Sequence, residues 1–314
     1  MNYSGNKNFW DIYFLFKYLA GNNSINKNWS DIEKEIKYFI TNDGVFYGTV
    51  FFNKKEFEEI FDNIINDKAP RLDGDSHDAA LLTHYILEIP SNKSDFDEFF
   101  FLELKKFEKV FKEYINKEVE KNNLPYKENS EELLNNLVKD INSTYVLSFN
   151  YTELRDINLY EVENVHGKLS SEIIFGIDYE NIKVTNNAFK YSKTYRKLLM
   201  NINDSKHSSL PQGIKKIICF GHSLADADYS YFQSIFDFYS IYDSEIRVEF
   251  CFSVFNEKFE KQIKNDQLKS ITKLLSKYGE TMDNDNHGRN LMHKLLLENR
   301  VGIIEVNSDG TRKI

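Results

Sequence analysis

Proline and glycine are scarce in this 314-residue chain, with four and thirteen copies. A β-barrel or β-sandwich uses both at its many tight turns, so their scarcity argues against an all-β fold and leaves helix dominant. Cysteine is scarcer still. Two residues, Cys219 and Cys251, cannot build a disulfide framework, and both lie in apolar runs, where a thiol reads as a small buried hydrophobe in a reducing compartment. Positive charge is not in excess either: 40 Lys and Arg face 49 Asp and Glu, for a formal charge of −9. Nucleic-acid binding ordinarily leaves a basic footprint, so nucleic acid is disfavoured as a partner. No apolar run reaches the length of a membrane span. The segment from Met1 to Ala20 also lacks the basic flank and small-residue cleavage site of a secretory signal. The expectation is a cytoplasmic protein that makes no use of a membrane.

What the chain has in quantity is aromatic side chains, 26 Phe and 19 Tyr, which is the material of a packed interior and not of a disordered chain. Up to about residue 140 the pattern is helical. Asn8 to Ala20 is apolar almost all round. Ser30 stands three residues before Glu33, as in a capping box, and Ile32, Ile36, Phe39 and Ile40 then share one helical face. Phe57, Ile60, Phe61, Ile64 and Ile65 repeat that spacing, as do Phe100, Leu104, Phe107, Phe111 and Tyr114. Asp73 to Asp78, with His77, reads as a polar loop.

After Asn142 short β-type runs begin: Tyr145 to Phe149, Val162 to Val165, Ile173 to Ile177, Ile217 to Phe220, Ile246 to Phe252 and Gly302 to Val306. Helical patterns at 226–239, 256–277 and 289–299 separate the later ones. Alternation of this kind predicts a mostly parallel sheet with crossover helices. The expected organisation is one helix-dominated α/β domain over residues 1–314, with a helical insertion at 50–140 and a strand-bearing core at 142–306.

Three polar motifs stand at the carboxyl ends of these strands, the edge at which open α/β sheets bind ligands. They are Ser148-Phe149-Asn150-Tyr151-Thr152; Asn164-Val165-His166-Gly167, followed by Ile173-Ile174-Phe175-Gly176; and Phe220-Gly221-His222-Ser223-Leu224, with Asp226 and Asp228 beyond. In this order, and with Asn8-Phe9-Trp10 and Asn28-Trp29-Ser30-Asp31-Ile32-Glu33 upstream, the series resembles the bacteriophage abortive infection AbiH family over roughly residues 8–240. It is more loosely similar to SIR2-like nicotinamide-dinucleotide-binding proteins. The resemblance implies a SIR2-like, Rossmann-type fold and a role in anti-phage defence, with NAD or a related nucleotide as ligand or substrate. It places Asn150 beside the nicotinamide ribose and His166 on the ribose as catalytic base. Gly221, Ser223, Thr152 and Asp226 would be cofactor contacts.

Two departures stand out. Thr152 occupies a position where SIR2-like proteins carry Asp. The strand and glycine-rich turn that such chains place first are not seen before Asn8, so the fold is expected to lack its first strand unless the true start lies upstream.

The residue chemistry is compatible with hydrolysis of an N-glycosidic bond. A carboxamide orients a water or hydroxyl without adding charge, and an imidazole takes a proton near neutral pH. Each residue also has a plain structural use. Asn150 can close a strand, His166 can be a satisfied buried histidine, and Gly221 and Ser223 can form a strand-to-helix turn. Asp31 and Glu33 fit a helix start, His222 fits packing, and no metal motif is present. The helical block is the expected surface for oligomerising or meeting a partner, and other readings stay open: a non-catalytic module that senses a nucleotide or a phage protein and signals through its helices, or a nuclease-like toxin built on Asp226 and Asp228.

Overall fold

A computed structural model describes residues 8–11, 13–14, 29–41, 93–138, 140–154, 161–178, 182–200 and 210–313. The apolar pattern at 57–65 and the Asp73–Asp78 loop lie outside them. The fold is helix-rich α/β with short, all-parallel sheets, in line with the sequence. The chain divides into two compact units: Met1–Asn116 with Ile173–Ile202, and Lys117–Glu172 with Asn203–Ile314.

In the first unit, α1 (Trp29–Thr41) and most of α2 (Lys93–Lys121) meet helical residues at 9–14. Phe9, Trp10, Tyr13, Ile36 and Leu104 are wholly buried. The ring of Phe9 lies 4.7 Å from Phe100 and 5.1 Å from Phe39 in tilted and edge-on contacts. Burial of each such side chain contributes about 1.5–3 kcal/mol. Phe9 N–H donates to Glu103 Oε2 at 2.6 Å and Trp10 Nε1–H to the carbonyl of Phe100 at 3.3 Å, which matches these two buried donors. Helix α1 starts at Trp29, one residue before the expected cap. Its Glu33 is buried against Lys193 Nζ at 3.0 Å, at the start of α4 (Lys193–Met200).

The apolar run Ile173–Ile177 also belongs to this unit, and it is not a sheet strand. It is a buried extended segment with one isolated bridge, Ile177 to Ser192. Backbone bonds to Tyr191 and Lys193 hold Ile177, and a buried ion pair holds Phe175. Glu108 Oε1 accepts from Phe175 N–H at 2.8 Å, and Arg196, bound to Glu108 through both terminal nitrogens at 2.9 and 2.7 Å, reaches the Phe175 carbonyl at 3.3 Å. Burial pushes the Glu108 carboxyl up, and Arg196 pulls it down.

The second unit holds α3 (Asn123–Leu137), β1 (Tyr145–Ser148), β2 (Glu161–Asn164), β3 (Lys216–Phe220), α5 (Tyr229–Phe238), β4 (Arg247–Ser253), α6 (Glu260–Glu280), α7 (Asp285–Leu297) and β5 (Val301–Val306). β1 pairs with β2, and β3–β4–β5 form a separate sheet. Every pairing is parallel, in the registers Tyr145↔Glu161, Lys216↔Arg247 and Val248↔Val301. Central β4 is buried from Val248 to Phe252, as expected of a strand covered on both faces. Its Glu249 is buried too, held by Arg247 at 2.9 Å, Lys216 at 3.2 Å and Arg312 at 2.9 Å. Phe232, Phe236, Ile271, Leu274, Leu275, Leu291 and Leu295 join Val248 and Phe250 in the core. Asn284 caps α7 by accepting from Asn286 and His287 N–H. Helices α6 and α7 touch at Gly279 and Gly288, where a Cβ on either glycine would fall 2.0–2.5 Å from the other's carbonyl oxygen. No helix among the described residues is long and apolar enough to cross a membrane.

Candidate functional site

The carboxyl ends of β1, β2 and β3 converge on one aromatic ring. Phe149 follows β1, and its centroid lies 5.5 Å from the ring of His166, beyond β2, and 4.5 Å from the ring of His222, beyond β3. Tyr231 at 5.8 Å and the stacked Phe232 at 5.6 Å, both from α5, close the group. The local geometry behind this begins in the turns. Asn164, the last residue of β2, donates through Nδ2 to the carbonyls of Asn150 at 2.8 Å and Thr152 at 3.1 Å, which pins the β1 turn to the β2 turn. After β3 the chain needs a left-handed residue, and Gly221 supplies it at φ 67°.

The turn continues to Leu224, which holds φ 55°, a costly conformation for a branched residue. Leu224 is buried, and its N–H donates to His222 Nδ1 at 2.8 Å. That bond settles the imidazole: with Nδ1 accepting, the proton of the neutral ring sits on Nε2, which faces Asp228 Oδ2 at 3.2 Å. The other carboxylate oxygen, Asp228 Oδ1, lies 2.9 Å from His166 Nε2. One carboxylate therefore stands between two imidazoles, all three side chains nearly buried: 7% exposed for His166 and 13% each for Asp228 and His222. Among the described residues no group of three or more His, Cys, Asp or Glu is arranged to hold a metal ion.

Above this buried charge the rim is open. Asn150, Gly221 and Ser223 are exposed, and the Asn150 carboxamide makes no hydrogen bond among the described residues. A cleft of about 1420 Å³ includes Asn150, Thr152, Gly221 and His222 in its walls; His166, Ser223 and Asp226 are not among its lining residues. The Thr152 hydroxyl is engaged by Tyr126 Oη of α3 at 2.5 Å. Asp226 points to Lys273 of α6, 2.6 Å away, and its side chain is 54% exposed. The turn at 221–224 does not open a long helix directly. A three-residue 3-10 turn, Asp226–Asp228, comes first and α5 only afterwards.

Sequence reasoning names Asp228 and Asn164 in its motifs but gives neither the part it plays here. Asp228 stands beside Asp226 at the end of the third motif, and nothing in its own neighbourhood announces two imidazoles. Asn164 is a plain strand end by pattern, and its clamp on two carbonyls is visible only in three dimensions.

The family model described as "Bacteriophage abortive infection AbiH" matches residues 2–252. No curated protein and no solved structure matches the chain. The matched span takes in β1 to β3 and almost all of β4, and with them every residue of the site.

Proposed function

From the premise that this chain belongs to the bacteriophage abortive infection AbiH family, we propose that it defends against phage by binding NAD or a related nucleotide at the carboxyl ends of β1, β2 and β3 and hydrolysing its N-glycosidic bond. The observation that carries the proposal is the Asp228 carboxylate held between His166 and His222 beneath an exposed amide rim.

Cleavage of that bond passes through an oxocarbenium-like state, as in glycoside hydrolysis. His166, whose Nε2 lies 2.9 Å from Asp228 Oδ1, acts as the base toward a water or ribose hydroxyl. Asp228 stabilises the imidazolium that results, as a buried carboxylate does for a catalytic histidine. Asn150 orients the reacting hydroxyl. Gly221 and Ser223 contact the ligand from the opposite side of the rim. His222, with both nitrogens engaged, orients Asp228. The SIR2-like character of the fold belongs to the same proposal. The ribose end of a dinucleotide fits these residues better than its pyrophosphate does, since Leu224 N–H is already committed to His222 and Asp228 adds negative charge.

Incubation with NAD tests this. Loss of NAD is expected, and His166→Ala is expected to reduce its rate by roughly 10²–10⁴, the usual contribution of a general base. Retained NAD consumption in that variant would refute the base assignment. A second reading, binding without hydrolysis, is favoured by one observation: both ring nitrogens of His166 are out of contact with solvent. On that reading NAD raises the melting temperature but is recovered intact.

A further inference from the structure

Glu249 stands in the middle of central strand β4 and is buried. A buried carboxylate needs a partner, and one suffices for Glu108 in the first unit, which takes the single guanidinium of the equally buried Arg196. Glu249 has three. Arg247 Nε donates to its Oε1 at 2.9 Å, while Lys216 Nζ and Arg312 Nη2 both reach its Oε2, at 3.2 and 2.9 Å. Three cations about one carboxylate leave two positive charges uncompensated in one place.

The strand register explains how they meet. Lys216 and Arg247 are directly opposite in the parallel β3–β4 pairing, and Glu249 is opposite Gly302 of β5. Residues two apart on a strand share a face, so Lys216, Arg247 and Glu249 lie on one side of the sheet. Gly302 leaves space there, because a Cβ on it would fall 3.0 Å from Arg247 Nη2. Arg312 comes from the chain beyond β5, where it bridges to Val306. The cations are accessible even though their shared carboxylate is not: the side chains of Lys216 and Arg247 are each 34% exposed and that of Arg312 is 56% exposed.

Their donors are not all spent. Arg247 gives Nη1 to the Asn299 carbonyl at 2.8 Å. Arg312 bonds Glu249 through Nη2, and its Nε and Nη1 meet no acceptor among the described residues. Lys216 makes one of the three bonds an ammonium can make. Neighbouring charges do not restore the balance. Arg300 is committed to Glu298 and to the carbonyls of Ile241 and Tyr242, and Lys313 to Glu305. Asp140 accepts from Asn142 N–H in the turn before β1, and Lys215 adds a further positive charge beside Lys216. Two surplus charges with unspent donors suit a dianion. Inorganic phosphate and phosphate monoesters carry about two negative charges near neutral pH, with several strong acceptor oxygens, and guanidinium and ammonium groups are their usual partners.

We propose that Lys216, Arg247 and Arg312, gathered on Glu249, form a binding site for a dianionic phosphate group at the amino ends of β3 and β4. Lys216 and Arg312 contact the anion, and Arg247, held by Glu249 and Asn299, adds its charge. The site lies at the opposite end of β3 from Gly221, about 16 Å away along the strand, so it is separate from the rim and does not rest on the nucleotide reading. The phosphates of NAD are diesters with one charge each, and NAD is not the ligand expected here.

The test is titration of the intact chain with inorganic phosphate and with methyl phosphate, in chloride at constant ionic strength, read as saturable binding heat and a rise in melting temperature. Both dianions are expected to bind, and dimethyl phosphate about tenfold more weakly. Which dianion binds more tightly tells whether the site prefers the free ion or an ester. Arg312→Gln and Lys216→Gln are each expected to weaken binding by about tenfold. Lys313→Gln, next to the cluster, and His166→Ala, at the other end of the strands, are expected to leave it unchanged. The proposal is overturned by a lack of saturable binding, by equal binding of dimethyl phosphate, by undiminished binding in both site variants, or by loss of binding in His166→Ala, which would put the anion at the rim. NAD consumption is a separate readout, so failure of phosphate binding and failure of NAD hydrolysis are told apart.

Discussion

Each of the two units buries ionised groups, and the two arrangements differ in kind. In the first unit Glu108 and Arg196 are joined by two parallel bonds, and their remaining capacity is spent on the backbone of Phe175. The guanidinium there is permanently charged. In the second unit the Asp228 carboxylate is shared by two imidazoles, His166 and His222. The same physical demand, that buried charge be paired, is met once by a bidentate guanidinium and once by two imidazoles on one carboxylate. Burial of charge alone is thus no sign of a functional site; the second arrangement differs in that its His222 borders a cleft.

Substitutions can break or sharpen that contrast. Arg196→Met should have the largest effect on stability, because it strands the Glu108 carboxylate in a dry interior. About 3–5 kcal/mol is expected in urea unfolding, with much of it recovered in the Arg196→Met/Glu108→Leu double variant. Asp228→Asn should cost less, about 1–3 kcal/mol for the lost charge-assisted contacts. It should also force one imidazole to present a lone pair to the new amide, altering the histidine ring signals in NMR. A larger loss from Asp228→Asn than from Arg196→Met would invert the comparison.

Alkaline pH probes the second unit's other buried groups. Burial pushes the Cys219 thiol up to about 12 and that of Cys251 up to about 11, from an ordinary value of 9.0. The unfolded chain therefore loses these protons first, and stability falls as pH rises from about 9. A Cys219→Ala/Cys251→Ala variant should show a shallower decline between pH 8.5 and 10 in equilibrium unfolding. The smallest effect belongs to Lys273→Ala. Its pair with Asp226 is exposed on both sides, and the change in stability should stay within about 0.5 kcal/mol.

Much of this architecture could be read in the sequence, for identifiable reasons. The runs at 145, 217 and 246 became β1, β3 and β4 within a residue or so at each end, because an apolar stretch of that length, ringed by helical patterns, has few other uses. Ile173–Ile177 carries the same apolar signal and is no strand. Pattern reports burial, but it cannot say whether the backbone is satisfied by a neighbouring strand or, as at Phe175, by Glu108 and Arg196. Of the motif residues, Asn150, Gly221 and His222 do line one cleft. Asp226 turns to a surface lysine, whereas Asp228, two residues on, stands between the histidines. Spacing alone could not have chosen between two aspartates so close together, because the choice is made by where a 3-10 turn points them.

The contact between Gly279 and Gly288 has a consequence for how this protein can vary. Two helices that meet backbone to backbone leave no room for even a methyl group, so each position constrains the other without any side chain to mediate it. Surface residues of the same helices are free to drift, whereas these two sites admit a single residue type unless the helix axes themselves move apart. A comparison of natural variants should find the pair invariant within an otherwise changeable hairpin.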